Sequence, residues 1–266
     1  MPTLRLVTWN INSVRLRLGL VERRIQEVRP DVLCLQETKT IDDLFPAKAL
    51  AAAGLTHQLV YGMKGYNGVA VLSRLPLKQT NRHDWCGRTD SRHLAAVLPG
   101  GIELHNLYIP AGGDVPDPET NPKFAHKLQF LKEHIDWWGD RSRRQAKRIL
   151  VGDLNIAPLE CDVWSHTQLL DVVSHTPIEV ELLSRFQESQ GWVDAIRHFV
   201  PAPQKLYSWW SYRARDWVAS DRGRRLDHIW VSPALQSRLV AAEILKPARD
   251  WAQPSDHVPV ILDLEV

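Results

Sequence analysis

Apolar residues along this chain come in short runs of strand length. LRLVTWNI (4–11), DVLCLQ (31–36), GVAVLS (68–73), HLAAVL (93–98), IELHNLYI (102–109), RILVGD (148–153), LDHIWVS (226–232) and VPVILDLE (258–265) either alternate or stay apolar throughout, as strands do. Elsewhere the apolar spacing shifts to three and four. That shift predicts a helix over Ser13–Val28, stopped by Pro30, and another over Pro122–Trp138, with Asn121 as cap and Pro122 in the first turn. A third is predicted near Pro177–Gln190. HLAAVL and IELHNLYI are separated only by PGG, which leaves no room for a crossover helix, so the sheets must be mixed. The pattern predicts an α/β fold of two packed sheets flanked by helices. The stretch PAGGDVPDPETNP (110–122) reads as a loop inside one domain covering residues 1–266.

Composition narrows the picture only a little. Lys and Arg number 33 against 31 Asp and Glu, so attraction to a polyanion must come from local patches and not from the net charge of +2. Three cysteines without a CxxC suggest neither a disulfide framework nor a thiolate zinc site, and a reducing cytoplasm is expected. MPTLRLVTWNI runs straight into a strand pattern without the features of an export signal, and no apolar run is long enough to span a bilayer. No membrane partner is expected.

The candidate chemistry lies where apolar runs stop. Asn10 and Asn12 end the first run, Glu37 follows DVLCLQ, Tyr108 nearly ends the hairpin strand, and Asp153 and Asn155 follow RILVG. Asp227 opens LDHIWVS, and Asp256 and His257 stand between two prolines before the last run. In a sheet fold such ends gather at one rim. Singly, each has a structural reading: Glu37 as a cap, Asp153 and Asn155 as Asx turns, Tyr108 as core. Together they supply carboxylates, amides, a phenol and an imidazole, and the oxygen donors suit a hard cation such as Mg2+.

TWNINSVR, LQETK, KGYNGVAVLSR, LYIPAGG, GDLNIAP, YSWWSYR, RRLDHIWVS and PSDHVPV occur in this order from residue 8 to residue 260. This series resembles the exonuclease III family of DNA-repair nucleases, within the endonuclease/exonuclease/phosphatase superfamily. The resemblance implies a four-layer α/β sandwich, with two mostly antiparallel mixed sheets. It also implies Mg2+-dependent phosphodiester hydrolysis (Mn2+ being the alternative) in double-stranded DNA carrying abasic sites, nicks or blocked 3′ ends. Incision 5′ of an abasic site, 3′ to 5′ exonuclease action and 3′-end cleaning are the activities to expect, from a monomer. On the family pattern Glu37 is the principal metal ligand, with Asn10 and Asp256 close to the ion. Asp153 orients and deprotonates the attacking water, Asn155 holds the phosphate or that water, and Tyr108 and His257 donate to phosphate oxygens. Asp227 fixes the imidazole.

Two basic stretches stand out, RSRRQAKR (141–148) and the block from Lys205 to Arg225, in which basic residues alternate with Tyr207, Trp209, Trp210, Tyr212 and Trp217. The first reads as a solvated helix end; the second mixes phosphate-binding charge with aromatic surface. The family match places Lys64, Gly65, Tyr66 and Arg92 on the DNA backbone, with Trp209 and Leu226 walling a pocket for a flipped-out abasic sugar. Arg224 departs from the apolar or aromatic residue of the pattern and is expected to contact a phosphate. Ala111 stands where the pattern has a polar residue. These departures bear on the balance of abasic-site, exonuclease and 3′-phosphatase activities, and the alternative is a specialised 3′-exonuclease or 3′-phosphatase weak on abasic sites. A lipid- or inositol-phosphate phosphodiesterase and a catalytically silent DNA-binding module are the other readings.

Overall fold

The computed structural model describes residues 2–141, 145–214 and 216–266. The first half runs β1 (Thr3–Asn10), α1 (Leu18–Val28), β2 (Val32–Gln36), α2 (Ala47–Ala52), β3 (His57–Tyr61), β4 (Val69–Ser73), β5 (Lys78–Trp85), β6 (Arg88–Leu98) and β7 (Ile102–Tyr108). Then follow α3 (Pro122–Gly139), β8 (Arg148–Asp153), α4 (His166–Leu169), α5 (Pro177–Gln190), β9 (Val193–Asp194), β10 (Trp209–Trp210) and β11 (Gly223–Arg224). The chain closes with β12 (Asp227–Val231), β13 (Leu239–Ile244) and β14 (Val260–Glu265).

Two six-stranded sheets result, ordered β13-β14-β1-β2-β4-β3 and β5-β6-β7-β8-β12-β9. Among the described residues all pairings are antiparallel except β1 with β2 and β7 with β8, and each of these is bridged by a crossover helix, α1 or α3. Period-two alternation divides the side chains among layers. Val32 and Cys34 face inward to a central core shared with Leu104, Ile149, Val151 and Ile229 of the second sheet. Leu33 and Leu35 face outward against Val21 and Ile25 of α1, while Leu107, Leu150 and Trp230 face α3 and α5. Helix, sheet, sheet, helix is the four-layer order.

The central layer is not wholly apolar. Asn106 of β7 donates through Nδ2 to the Leu35 and Ala70 carbonyls of the other sheet, at 3.0 and 2.9 Å, and accepts from Gln36 Nε2 at 2.6 Å. Gln36 Nε2 also donates to Thr8 Oγ1 at 2.9 Å. The buried amides pin one sheet to the other directly beneath the strand ends.

The structure corrects three expectations. The first helix begins at Leu18 and not Ser13, because Asn12 and Ser13 adopt positive φ (47° and 85°) and turn the chain. The strands β3, β5 and β13 escaped the pattern because they lie at or near sheet edges, where one or both faces are wet and polar residues such as those of KQTNRHDW are tolerated. Of the basic stretch 141–148, residues 142–144 lie outside the described residues; Arg148 is buried on β8, where its guanidinium bonds Glu103 at 2.9 Å.

Asn106→Leu conserves volume but removes the donor to the Leu35 and Ala70 carbonyls and one of the two acceptors of the Gln36 amide. The expected loss is about 2–4 kcal/mol in urea unfolding; a loss below ~1 kcal/mol would mean that apolar packing alone positions the sheets.

Candidate active site

Both parallel pairs send their carboxyl ends to the same rim, so Asn10, Glu37, Tyr108 and Asp153 arrive together for topological reasons. Antiparallel register adds the rest. Asp227 pairs directly with Asp153 across β12 and β8, and Tyr108 pairs with Asp153 across β7 and β8. His257 sits just before β14, whose first residue, Val260, pairs with Thr8 of β1.

Hydrogen bonds cross between the sheets at this rim. Asn10 Nδ2 donates to Glu37 Oε1 at 3.0 Å and to Asp153 Oδ2 at 2.8 Å, and the Tyr108 hydroxyl donates to Glu37 Oε1 at 2.8 Å. Asn155 donates from its backbone to Asp153 Oδ1 (2.9 Å) and from Nδ2 to Asp153 Oδ2 (3.2 Å) and to the Ile109 carbonyl (2.9 Å). The Asx turn and the core tyrosine are thus real, and both are part of the cluster. Glu37 and Asn155 hold left-handed backbone, with φ of 50° and 53°.

Asp256 and His257, neighbours in sequence, face different partners. His257 Nδ1 lies 2.8 Å from Asp227 Oδ2, and its Nε2 lies 3.6 Å from Asp153 Oδ2. Asp256 accepts from Asn12 Nδ2 and from the Trp209 indole, each at 3.0 Å. Burial alone disfavours the His257 cation, but the carboxylates of Asp227, Asp153 and Asp256 outweigh it and push the imidazole up to about 10. Burial pushes the Asp153 carboxyl up to about 7; the His257 cation opposes the rise and Asp227 reinforces it. Glu37 is also buried, yet Lys39 and the Asn10 amide hold it below the usual carboxylate range.

Two places could attract a metal ion. Asp153, Asp227 and His257 present ligand atoms within 4.8 Å of one another. The imidazole there already bonds Asp227 through one nitrogen, and the surrounding carboxylates favour its protonated form, which is a poor ligand. Glu37 fits better: its carboxylate is charged, the Asn10 amide adjoins it, and the Lys39 ammonium already sits 2.8 Å from Oε2. The Glu37 carboxylate oxygens suit a hard divalent cation, which would take the place now held by the Lys39 ammonium.

A cleft of about 710 Å3 opens beside the cluster, and Glu37, Tyr108, Asp153, Asn155, Asp256 and His257 line it. Ala111, Trp209, Leu226 and Arg224 line it as well, Trp209 being joined to Asp256 through its indole. Lys64, Gly65 and Tyr66 are exposed on a loop outside the lining, Tyr66 at 73%. Two expected backbone contacts are turned inward. Arg92 bonds Asp90 and Asn67 and lies over the Tyr108 ring at 4.8 Å, while Arg224 donates to the Val173 carbonyl at 2.9 Å and Ser174 Oγ at 2.7 Å.

Sequence reasoning missed Ser208 and Lys39. Ser208 Oγ donates to Asp227 Oδ2 at 2.7 Å and accepts from the Leu226 and Asp227 backbone, which fixes the carboxylate that holds the imidazole. A serine in an aromatic block carries no local signal of such a role. Lys39, in LQETK, follows Glu37 by two residues, and only the left-handed turn at both residues brings its ammonium back onto that carboxylate.

Comparison with known proteins places the chain among nucleases. The model of the Endonuclease/Exonuclease/phosphatase family matches residues 7–257. The Haemophilus influenzae protein named exodeoxyribonuclease III is 31% identical over 97% of this chain and 98% of its own length. An AP endonuclease from Archaeoglobus fulgidus superposes with a TM-score of 0.92 at 30% identity, over 99% of this chain and 100% of that one. The Neisseria 3′ phosphatase NExo, solved with a product DNA hairpin, gives 0.89 at 30% identity, with 99% and 100% covered.

If Asp227 is the main source of the His257 cation, Asp227→Asn must lower the point at which the ring loses its proton. Histidine NMR titration from pH 6 to 11 in EDTA should show the wild-type ring charged at pH 8 and the variant ring losing its proton at least one unit lower. An unchanged midpoint would assign the cation to Asp153.

Proposed function

The chain belongs to the endonuclease/exonuclease/phosphatase family, and we propose that this nuclease hydrolase is a Mg2+-dependent DNA-repair enzyme acting on duplex DNA. Incision 5′ of abasic sites, 3′ to 5′ exonuclease action and removal of blocked 3′ ends make up its range. The observation that carries the reading is the meeting, at one cleft, of a cationic imidazole flanked by Asp227 and Asp153 with a charged carboxylate flanked by amide and phenol.

The residues divide the work of phosphodiester hydrolysis. His257 remains protonated across the neutral range and donates from Nε2 to a phosphate oxygen, with Asp227 and Ser208 holding the ring. Asp153, titrating close to neutrality, orients the attacking water and takes its proton. The Asn155 amide and the Tyr108 hydroxyl border the phosphate position, and both already point toward the carboxylates that surround it. Glu37, Asn10 and Asp256 would hold Mg2+. When bound, that ion neutralises charge on the phosphate and stabilises the departing oxygen.

On the substrate side, Trp209 and Leu226 wall the pocket for an abasic sugar, and the exposed Lys64, Gly65 and Tyr66 meet the DNA backbone. Arg92 serves the same face indirectly, bracing Tyr108. One observation favours the second reading, an exonuclease or 3′-phosphatase weak on abasic sites. Arg224 reaches across the pocket wall to Val173 and Ser174, with its guanidinium 5.4 Å from the Trp209 ring centre, and so puts a bulky cation where an apolar wall would admit a sugar.

Parallel assays on an abasic-site duplex, a blunt duplex, a 3′-phosphate nick and an inositol phosphate test the reading. Hydrolysis of the inositol phosphate alone would overturn it. Glu37→Gln keeps shape and loses charge, so activity at limiting Mg2+ should fall at least 100-fold and recover partly at high Mg2+; an unaltered metal dependence would remove Glu37 from the ion's site. Arg224→Leu should raise abasic-site cleavage relative to 3′-phosphate release and flatten the salt dependence of binding. An unchanged ratio and slope would leave Arg224 a purely internal brace.

A further inference from the structure

Beneath the cleft lies an ion pair with no contact to solvent. Lys127 of α3 and Glu179 in the first turn of α5 are both 0% exposed, with Nζ 2.5 Å from Oε1. Every polar valence of the pair is spent on loops bordering the site. The ammonium has three protons, and beyond Glu179 it donates to the Asn155 carbonyl at 2.8 Å and the Ala111 carbonyl at 3.3 Å. Glu179 accepts from the backbone of Ser174 at 3.0 and 2.9 Å, from the Thr176 backbone at 3.2 Å and from Thr176 Oγ1 at 2.7 Å. Gly112 passes so close that a Cβ there would meet Lys127 Cδ at 3.0 Å.

Three segments therefore converge on one buried node: that after β7, that after β8, and the 172–176 turn. Stability does not account for it. Desolvating two charges costs several kcal/mol, and a well-packed apolar pair in such a place is often as stable or more so. What an apolar pair could not do is anchor the Asn155 carbonyl, whose residue holds left-handed backbone and whose amide touches Asp153.

Resting on the nuclease reading, we propose that Lys127 is a positioning residue for hydrolysis. Its ammonium, held by Glu179, fixes the segment after β8 so that Asn155 and Asp153 keep their mutual geometry. Lys127 touches no reacting atom and acts through the Asn155 carbonyl. The same node sets the 172–176 turn against Arg224, so one buried charge pair aligns the hydrolytic and substrate-selecting sides of the cleft.

The test uses Lys127→Met/Glu179→Gln, which removes both charges while leaving an acceptor for Ser174 and Thr176. In the full chain, single-turnover cleavage of the wild type's best DNA substrate should slow by about 10- to 100-fold, the scale of a misplacement far from the chemistry. DNA affinity should stay within threefold and the thermal midpoint within a few degrees. Amide exchange at Asn155 and Ala157 should quicken about tenfold, with β8 itself still protected. Lys127→Arg, which keeps the cation and its donors, should recover most of the rate. Lys127→Gln gives the same readings if the double variant does not fold.

A folded variant with wild-type turnover, or with unchanged exchange at Asn155, overturns the proposal. A wild-type protein inactive on every DNA substrate would instead overturn the nuclease reading. The exchange measurement would then still decide whether Lys127 holds the segment.

Discussion

The amide of Asn106, buried between the sheets, is the constraint on which the site depends. Its bonds to Leu35, Ala70 and Gln36 lock the lateral offset of one sheet against the other. Each sheet brings half of the polar cluster, and neither half closes its own hydrogen bonds. Asn10 needs Asp153, and Tyr108 needs Glu37, across that interface. Apolar packing is non-directional and would tolerate a slide of an ångström or so; directional bonds to named carbonyls would not. A polar anchor in the central layer is therefore the cost of assembling a site from two sheets.

Charge completes the argument. Glu37, Asp153, Asp227 and Asp256 lie close together, with the His257 imidazolium and the Lys39 ammonium in direct contact with members of the group. A phosphodiester would bring a further negative charge into this acidic place. The divalent metal on which the family depends answers that imbalance, and the four carboxylates are in this sense half of an electrostatic pair.

Much of this was legible in the chain. The strand-end residues could be named from where apolar runs stop, and the two helices that make strand pairs parallel could be read from spacing, α3 with its Asn121 cap and α1 with its start placed five residues early. What could not be read was direction. Arg92 and Arg224 look in sequence like cations offered to a phosphate, but each guanidinium is taken up by internal oxygens and an aromatic face. Ser208 and Lys127 gave no local signal because their partners lie 19 and 52 residues away, at Asp227 and Glu179, or in backbone carbonyls that composition never exposes. The edge strands escaped because wet edges relax the alternation that marks a strand.

Glu37 and Asn155 share one more property. Both hold left-handed backbone that ordinary side chains avoid, a conformation that costs of order 1 kcal/mol or more at a non-glycine residue. A glycine at either position would relax that cost and erase a polar group the cluster uses. Folding and chemistry thus make opposite demands on the same two residues. The molecule gives up some durability to keep them, and drift toward a more robust but idle protein would begin there.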